Sequence, residues 1–273
     1  TIVPGSSAFE LYDTFGFPVD LTNDIARERE LRLDIAGYDA AMAQQRTRSQ
    51  EGGSFKLDYN DALKLEGSTE FTGYDSLRGE GTVTALLKDG EEVDFLGTDE
   101  SGIVVLSSTP FYGESGGQVG DTGYITAEGL KLEVTNTTKA SDQHLHHVNT
   151  LTGTIRQGDI VHSVVDDSLR QRTRLNHSAT HLLHSALRSV LGDHVQQKGS
   201  LVDSERLRFD FSHFEGVTGE ELKRIESIVN DQVRVNTEVS TRVMSMDEAI
   251  EAGATALFGE KYGDEVRVLS MGE

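Results

Sequence analysis

Hydrophobic positions divide the chain into three segments with different spacing. From residue 7 to about residue 50, apolar residues recur at helical intervals with a break at residues 16–18, which predicts two helices. From about residue 71 to residue 165, short β-branched runs alternate with Gly, Asp and Asn turns, which predicts a small barrel or sandwich. From residue 166 onward, helical and alternating patterns mix, which predicts helices on one side of a mostly antiparallel sheet.

The sequence therefore predicts an α+β protein: a short helical segment, a small β-barrel-like domain, then a helix-plus-antiparallel-sheet domain. We place these parts at residues 1–52, 53–165 and 166–273, with Glu-Gly-Gly-Ser at 51–54 as a linker. The chain begins at Thr1 and stops directly after a strand-like run. We therefore expect a piece of a longer protein, with its last domain truncated.

Local signals in the third segment mark the ends of individual elements. Gly192 suits a left-handed cap at the end of a long helix. Leu207, Phe209 and Phe211 alternate with polar residues, which predicts a half-buried strand. Thr218 and Glu221 form a capping-box pattern that predicts the start of a second helix.

Composition excludes several classes of protein. The chain has 46 acidic and 25 basic residues and a formal net charge of -21, which argues against a nucleic-acid binder held by a basic surface. It has no cysteine, which excludes disulfides, cysteine zinc fingers and thiol nucleophiles among these residues. No apolar run approaches the roughly 20 residues that span a bilayer, and no signal-peptide pattern is present. We expect a soluble, cytoplasmic protein that does not bind membranes.

The predicted long helix carries three histidines within the stretch LNHSATHLLHSALRSVLG, residues 175–192. His177 and His181 lie one turn apart on one helical face, as two ligands of one zinc ion require. His184 is about 10.5 Å from His177 along the axis, too far to join them readily. The periodicity places these histidines opposite the apolar face formed by Leu175, Ala179, Leu182, Leu183, Ala186 and Val190. A solvated polar face and a metal or catalytic cluster both fit this pattern.

Zinc binds about four ligands, or three and an open position, and this helix supplies two. Without cysteine, the remaining ligands have to be Asp, Glu or distant His residues, or residues outside the sequence.

A glycine-dense stretch, TPFYGESGGQVGDTG at residues 109–123, lies within the β-rich segment. Compact domains seldom keep so long a loop without a purpose. A cluster of tight β-turns is the alternative interpretation.

Six motifs occur in order along almost the whole chain and resemble the alanyl-tRNA synthetase family. The resemblance covers the end of the tRNA-recognition region followed by the editing domain. The motifs are AFELYDTFGFP at 8–18, SGGQVGD at 115–121, NHSATH at 176–181, HVQQKGS at 194–200, RFDFSH at 208–213 and LFGEKYG at 257–263.

The resemblance implies hydrolytic proofreading of tRNA(Ala) that carries serine or glycine. It implies zinc as cofactor, with His177 and His181 as two ligands and a Cys-x-x-x-His pair beyond the strand at 266–272 as the others. It also implies that Thr180 discriminates the aminoacyl group and that Gln197 lies close to the ester. ATP binding and aminoacylation are expected only of the parent synthetase, whose remainder is an expected partner.

The expected RNA partner is the acceptor end of tRNA(Ala). Residues 168–208 contain seven basic and three acidic residues, a local excess that includes Arg170, Arg174 and Lys198. We assign Arg174 and Lys198 to RNA contact, and expect Gln118 in the glycine loop to approach the terminal adenosine.

Two rival functions are consistent with parts of the pattern. One is a non-catalytic tRNA-binding or scaffold fragment of the same protein that lacks a complete zinc site. The other is an unrelated metallohydrolase that uses His177, His181 and an acidic ligand and cleaves small esters without tRNA.

Overall fold

The computed structural model of the chain describes residues 2–15, 19–29, 31–42, 67–254 and 265–271. The predicted helix break at 16–18, the linker at 51–54 and the motif at 257–263 lie outside these ranges. The chain forms two compact units, Thr1–Leu63 and Lys64–Glu273. The predicted division into three parts stays a prediction.

The first unit contains short helices joined by a minimal parallel strand pair. The predicted helices on either side of residues 16–18 are confirmed, and a further helix that the pattern did not predict begins after Asp34. The Oδ1 atom of Asp34 accepts a hydrogen bond of 2.9 Å from the amide of Gly37, the geometry of a helix N-cap. The elements are β1 (Ile2–Val3), α1 (Gly5–Phe15), α2 (Val19–Glu28), β2 (Arg32–Leu33) and α3 (residues 35–42 of the described stretch).

The second unit begins with a closed antiparallel barrel of six strands, which confirms the predicted barrel. Its strands follow the order β13-β9-β10-β11-β7-β4, and β13 pairs with β4 to close it. Alternate side chains of each strand point inward and fill the barrel with apolar residues such as Leu86, Leu106 and Ile125. The strands of this region are β3 (Glu70–Phe71), β4 (Arg78–Lys88), β5 (Glu91–Glu92), β6 (Phe95–Leu96), β7 (Ser101–Leu106), β8 (Ser108–Thr109), β9 (Gly123–Ala127), β10 (Leu130–Ala140), β11 (Gln143–Thr152), β12 (Ile155–Arg156) and β13 (Ile160–Val165).

His146 on β11 is a fully buried barrel residue with both ring nitrogens bonded. Nδ1 lies 2.8 Å from the carbonyl oxygen of Val104 and donates to it, and Nε2 accepts from the hydroxyl of Thr109 at 2.8 Å. Burial lowers the pKa of His146 to about 4. The folded protein therefore holds this ring neutral.

Helices and two hairpin-like strand pairs follow the barrel. The capping box predicted at Thr218 and Glu221 is confirmed: each residue's side chain bonds the other's backbone amide. The elements are α4 (Asp167–Leu191), β14 (Gln197–Val202), β15 (Leu207–Phe211), α5 (Gly219–Val235), β16 (Val239–Ser245), α6 (Met246–Glu251) and β17 (Glu265–Met271). Among the helices described, none combines the length and apolar character needed to cross a membrane.

Two details of this region differ from the sequence-based expectation. In place of one sheet, the described residues form two antiparallel pairs, β14 with β15 and β16 with β17. The pair β14 and β15 contacts α4, whereas the pair β16 and β17 contacts α6. Gly192 has φ 114° and ψ 165°, so it ends α4 in an extended conformation that favours glycine and not in a left-handed helical cap.

A buried ion pair joins α4 to the barrel. Arg170 lies on the first turn of α4, and its guanidinium donates to the carboxylate of Asp121, which belongs to the glycine-rich loop. The remaining guanidinium donors reach the carbonyl oxygens of Gly73 at 3.0 Å and Pro110 at 2.9 Å. The amide of Tyr112 donates to Asp121 Oδ2 at 2.7 Å. Because all these groups are paired, the charges are tolerated in the interior.

We expect Asp121→Asn to lower the free energy of unfolding by about 3 to 5 kcal/mol, because it leaves the buried Arg170 charge uncompensated. Asp193→Asn is the matched control, since Asp193 is 94% exposed in its ion pair with Arg188. That change should cost less than about 1 kcal/mol in urea unfolding. Equal costs for the two variants would show that the buried pair has no special role in stability.

We expect stability to fall as pH falls from about 7 towards 4, in part because of His146. Its pKa is about 4 in the folded protein and near 6.5 when unfolded, so in this window the unfolded chain binds more protons. Between pH 7 and 4.5 this ring accounts for a loss of roughly 2 to 3 kcal/mol. The measurement is urea unfolding across this range. His146→Asn should flatten the pH dependence, whereas the same substitution at the exposed His162 should not.

Candidate functional site

The site begins with two histidines stacked on α4. His177 and His181 lie one turn apart, and their ring centroids are 4.9 Å apart with an interplanar angle of 19°. His177 is half-buried, whereas His181 is exposed. The i, i+4 spacing recognised in the sequence thus brings two imidazoles into contact on one helical face.

Gln118 of the glycine-rich loop holds His177. Its Oε1 atom lies 2.6 Å from Nδ1 of His177, and Gln118 is 7% exposed. A carboxamide oxygen only accepts, so Nδ1 carries the proton and Nε2 has the free lone pair. The loop and the helix, which are 59 residues apart in sequence at this contact, therefore form one site.

The glycines of this loop permit a turn that other residues would not. Ser115 and Gln118 bond each other's backbone across Gly116 and Gly117, whose φ angles are 58° and 84°. A Cβ on Gly117 would lie 2.3 Å from the carbonyl oxygen of Ser200 on β14. The backbone of Gly117 and Val119 bonds Val202 at 2.8 and 3.0 Å. The loop thus joins the edge of the β14–β15 pair through one isolated parallel bridge between Gln118 and Val202.

Both stacked imidazoles are electrically neutral at neutral pH. Burial lowers the pKa of His177, and the neighbouring His181 lowers it further. Although the residue as a whole is exposed, partial desolvation of its ring also lowers the pKa of His181. Neutral imidazole is the form that binds metal ions, so the site is prepared for a cation or for proton acceptance.

The pair fits two ligand positions of a zinc ion. Both rings are neutral and adjacent. The Gln118 carboxamide bonds Nδ1 of His177, so Nε2 is the nitrogen that can bind a metal. In zinc sites, the second nitrogen of a ligating histidine is commonly bonded by a neighbouring group in this way. Within the ranges that the structure describes, no three His, Cys, Asp or Glu side chains form a group that could hold a metal ion. These residues therefore supply half of a four-ligand site.

Thr180 lies on α4 itself, and Gln197 lies at the start of β14. Thr180 is 5% exposed, and its hydroxyl donates to the carbonyl oxygen of Asn176 at 2.8 Å. Its oxygen keeps lone pairs for a further donor. Gln197 is half-buried at the start of β14 and pairs with Phe211 in the strand register. In the described part of the chain its side chain makes no hydrogen bond to either stacked histidine.

The third histidine of the helix belongs to the core and not to the pair. The ring of His184 lies 5.2 Å from that of Phe209, and burial lowers the pKa of His184. The predicted apolar face is also only partly correct. Ala186 is buried as predicted, but Leu175 is 60% exposed. The residues that α4 buries near its start are Arg170 and Thr173.

Most of the predicted basic patch is neutralised by acidic neighbours. Arg170 is buried with Asp121, so it is not an RNA-binding residue at the surface. Arg188, Arg206 and Arg208 form ion pairs with Asp193, Asp203 and Asp210 at 3.2, 3.7 and 3.1 Å. Arg172, Arg174 and Lys198 are exposed and have no carboxylate within ion-pair distance among the described residues. Arg174 shares the helical face of His177 and His181, at i, i+3 and i+7.

Sequence reasoning missed the residues that fasten the site together. The buried pair of Asp121 and Arg170 holds one end of the glycine-rich loop. Asn176 Nδ2 donates to the carbonyl oxygen of Asp203 at 2.8 Å, and this bond holds the turn after β14 against α4. Asp121 ends the recognised glycine motif, which is the one signal that could have pointed to it. Asn176 opens the NHSATH motif, but its partner lies far along the chain.

Comparison with known proteins identifies the family. A family model described as tRNA synthetases class II (A) matches residues 1–169. The chain is 63% identical over 272 residues to an alanine–tRNA ligase of Saccharophagus degradans, and this alignment covers 100% of the chain. It is 57% identical over 270 residues to the alanine–tRNA ligase of Shewanella loihica, covering 98% of the chain. The chain spans 31% of the length of each of these relatives. The chain therefore belongs to the class II (A) tRNA synthetases, and over its whole length it is similar to alanine–tRNA ligases.

Proposed function

We propose that this chain is the proofreading part of an alanine–tRNA ligase and hydrolyses the ester of tRNA(Ala) mischarged with serine or glycine. An alanine pocket cannot exclude glycine, which is smaller, and rejects serine, with one added hydroxyl, only weakly. A ligase of this specificity therefore needs a second site that destroys the wrong products. We assign ATP binding and aminoacylation to other parts of such ligases, and the cytoplasm as the compartment.

The observation that carries the proposal is the stacked pair of neutral imidazoles on α4. His177 and His181 would hold a zinc ion, with the Gln118 carboxamide fixing the first of them. Bound zinc can polarise an ester carbonyl and lower the pKa of an attacking water. The chain's own contribution is to keep both rings uncharged and to orient one of them.

Thr180 and Gln197 are proposed to act on the aminoacyl group and the ester. The Thr180 hydroxyl oxygen, whose proton is directed to Asn176, would accept from a serine hydroxyl, and its methyl group limits the room beside it. Gln197 would hold water or a polar group of the substrate with its half-buried carboxamide. The structure shows no contact between Gln197 and the histidine pair, so its assignment rests on the motif.

We propose that the acceptor end of tRNA(Ala) docks beside the histidine pair. Two of the exposed cations without a carboxylate partner among the described residues, Arg174 and Lys198, are the proposed phosphate contacts. Arg174 lies on the same helical face as the histidines, and Lys198 is exposed on β14. A protein with net charge -21 needs such a local cationic surface to bind RNA.

With zinc supplied, we expect the chain to cleave seryl-tRNA(Ala) and to leave alanyl-tRNA(Ala) intact. His177→Ala and His181→Ala should each lower the rate on the order of 100-fold or more, because the ligand pair and its orientation are lost. The same substitution at exposed His162, on the barrel, should leave the rate unchanged. The measurement is release of labelled serine from charged tRNA.

Binding of tRNA(Ala) without cleavage in the presence of zinc, by this chain and by a longer chain that contains the expected Cys-x-x-x-His pair, would overturn the hydrolytic assignment and favour the scaffold function. Cleavage by the longer chain alone would show that the hydrolysis needs the two additional zinc ligands. Cleavage of small esters at a rate independent of tRNA would favour the unrelated metallohydrolase.

We expect Arg174→Ala and Lys198→Ala to weaken tRNA binding and to reduce its salt dependence by about one released counterion each. Arg234→Ala is the control, because Arg234 lies on α5 in an ion pair with Asp231 at 2.6 Å. The measurement is the Kd for tRNA(Ala) over a series of salt concentrations. An unchanged salt slope in the first two variants would place the RNA elsewhere on the surface.

A further inference from the structure

Gln118 was expected from the sequence to approach RNA, but its surroundings fit another task. Gln118 is buried, with 7% of the residue exposed. Its carboxamide oxygen is already engaged at 2.6 Å by Nδ1 of His177. The side chain therefore points into the protein, against the face of α4 that carries the histidine pair.

Three separate anchors fix the backbone that presents this carboxamide. The turn through Gly116 and Gly117 is closed by the mutual backbone bonds of Ser115 and Gln118, at 2.9 and 3.2 Å. Gly117 and Val119 bond the edge of β14 at Val202. Asp121, three residues beyond Gln118, is locked by Arg170. A loop so constrained can set a ring orientation, because its own position has little freedom.

A neutral histidine exists in two tautomers, and the bond to one nitrogen decides which is present. An imidazole in water favours the Nε2–H form. In that form, Nδ1 of His177 would have a lone pair directed at the lone pairs of the Gln118 oxygen. With the carboxamide oriented as in the structure, its oxygen towards the ring, the contact is favourable only when Nδ1 carries the proton, which leaves the Nε2 lone pair unused.

We propose that Gln118 is a positioning residue that fixes His177 in the Nδ1–H tautomer and so keeps Nε2 available as a metal ligand or proton acceptor. The link to zinc and to ester hydrolysis rests on the proposed function. The tautomer itself does not, because it follows from the contact between Gln118 and His177.

The test is the tautomeric state of His177, read from long-range 1H–15N spectra of the chain with 15N-labelled histidine, without added metal. The wild-type chain should show His177 with a protonated Nδ1. Gln118→Leu removes the acceptor at nearly constant side-chain size and should shift His177 to a predominantly Nε2–H state. Gln118→Glu retains an acceptor oxygen and should restore the Nδ1–H state.

Two controls separate a local effect from a folding defect. Gln157→Leu makes the same substitution at an exposed glutamine on the barrel and should leave the His177 signals unchanged. His146 provides an internal reference for folding, because its Nδ1–H bond to Val104 is buried in the barrel core. In every variant its ring signals should stay as in the wild-type chain.

Zinc titration then connects the tautomer to the ion. Gln118→Leu should weaken zinc binding roughly 10- to 100-fold, the usual effect of removing an outer partner of a histidine ligand, and Gln118→Glu should recover most of it. An unchanged His177 tautomer in Gln118→Leu, with His146 intact, would overturn the proposal whatever the activity. If the tautomer shifts but seryl-tRNA(Ala) is hydrolysed neither by the wild-type chain nor by a longer chain that contains the expected Cys-x-x-x-His pair, the positioning role stays in place and the proposed function is overturned.

Discussion

The buried pair of Arg170 and Asp121 is the constraint on which the site depends. A charged pair in the interior is stable only when every donor and acceptor is satisfied, and here the guanidinium and the carboxylate also bond the backbone of Gly73, Pro110 and Tyr112. These bonds connect the first turn of α4, the end of the glycine-rich loop and the strand ends of the barrel. Two residues that take no part in the proposed chemistry thus determine where the histidine helix lies relative to the loop.

Burial has one electrostatic effect on histidine in this protein but two different structural results. In the barrel, burial keeps His146 uncharged, and its two ring nitrogens bond Val104 and Thr109. Neither nitrogen is left to bind a ligand. On α4, His177 also loses its charge, but one nitrogen alone is bonded. The distinction between a structural and a functional histidine therefore lies in the unused lone pair, since the direction of the pKa shift is the same for both.

The sequence predicted local features well because their causes are local. The alternation in β15, the capping box at Thr218 and the i, i+4 spacing of His177 and His181 depend on residues a few positions apart. The same reasoning assigned Arg170 to a basic surface and Leu175 to a buried face. Both errors concern the start of α4, whose neighbours come from a loop about 50 residues earlier in the chain. Periodicity shows that a face exists, but it does not show which polar residue a distant partner will bury.

Net charge and local charge act at different ranges, which reconciles an acidic protein with the proposed RNA substrate. At physiological ionic strength the screening length is about 8 Å, so most of the -21 charge is screened from a phosphate that touches Arg174 or Lys198. Arg188, Arg206 and Arg208 are paired with carboxylates, so they add little to the positive charge of this surface. A small cationic area within an acidic protein disfavours binding at random positions on RNA. Strong binding then requires the phosphates and the aminoacyl group to fit at the same time, which suits the proposed proofreading function, because correctly charged tRNA has to be released.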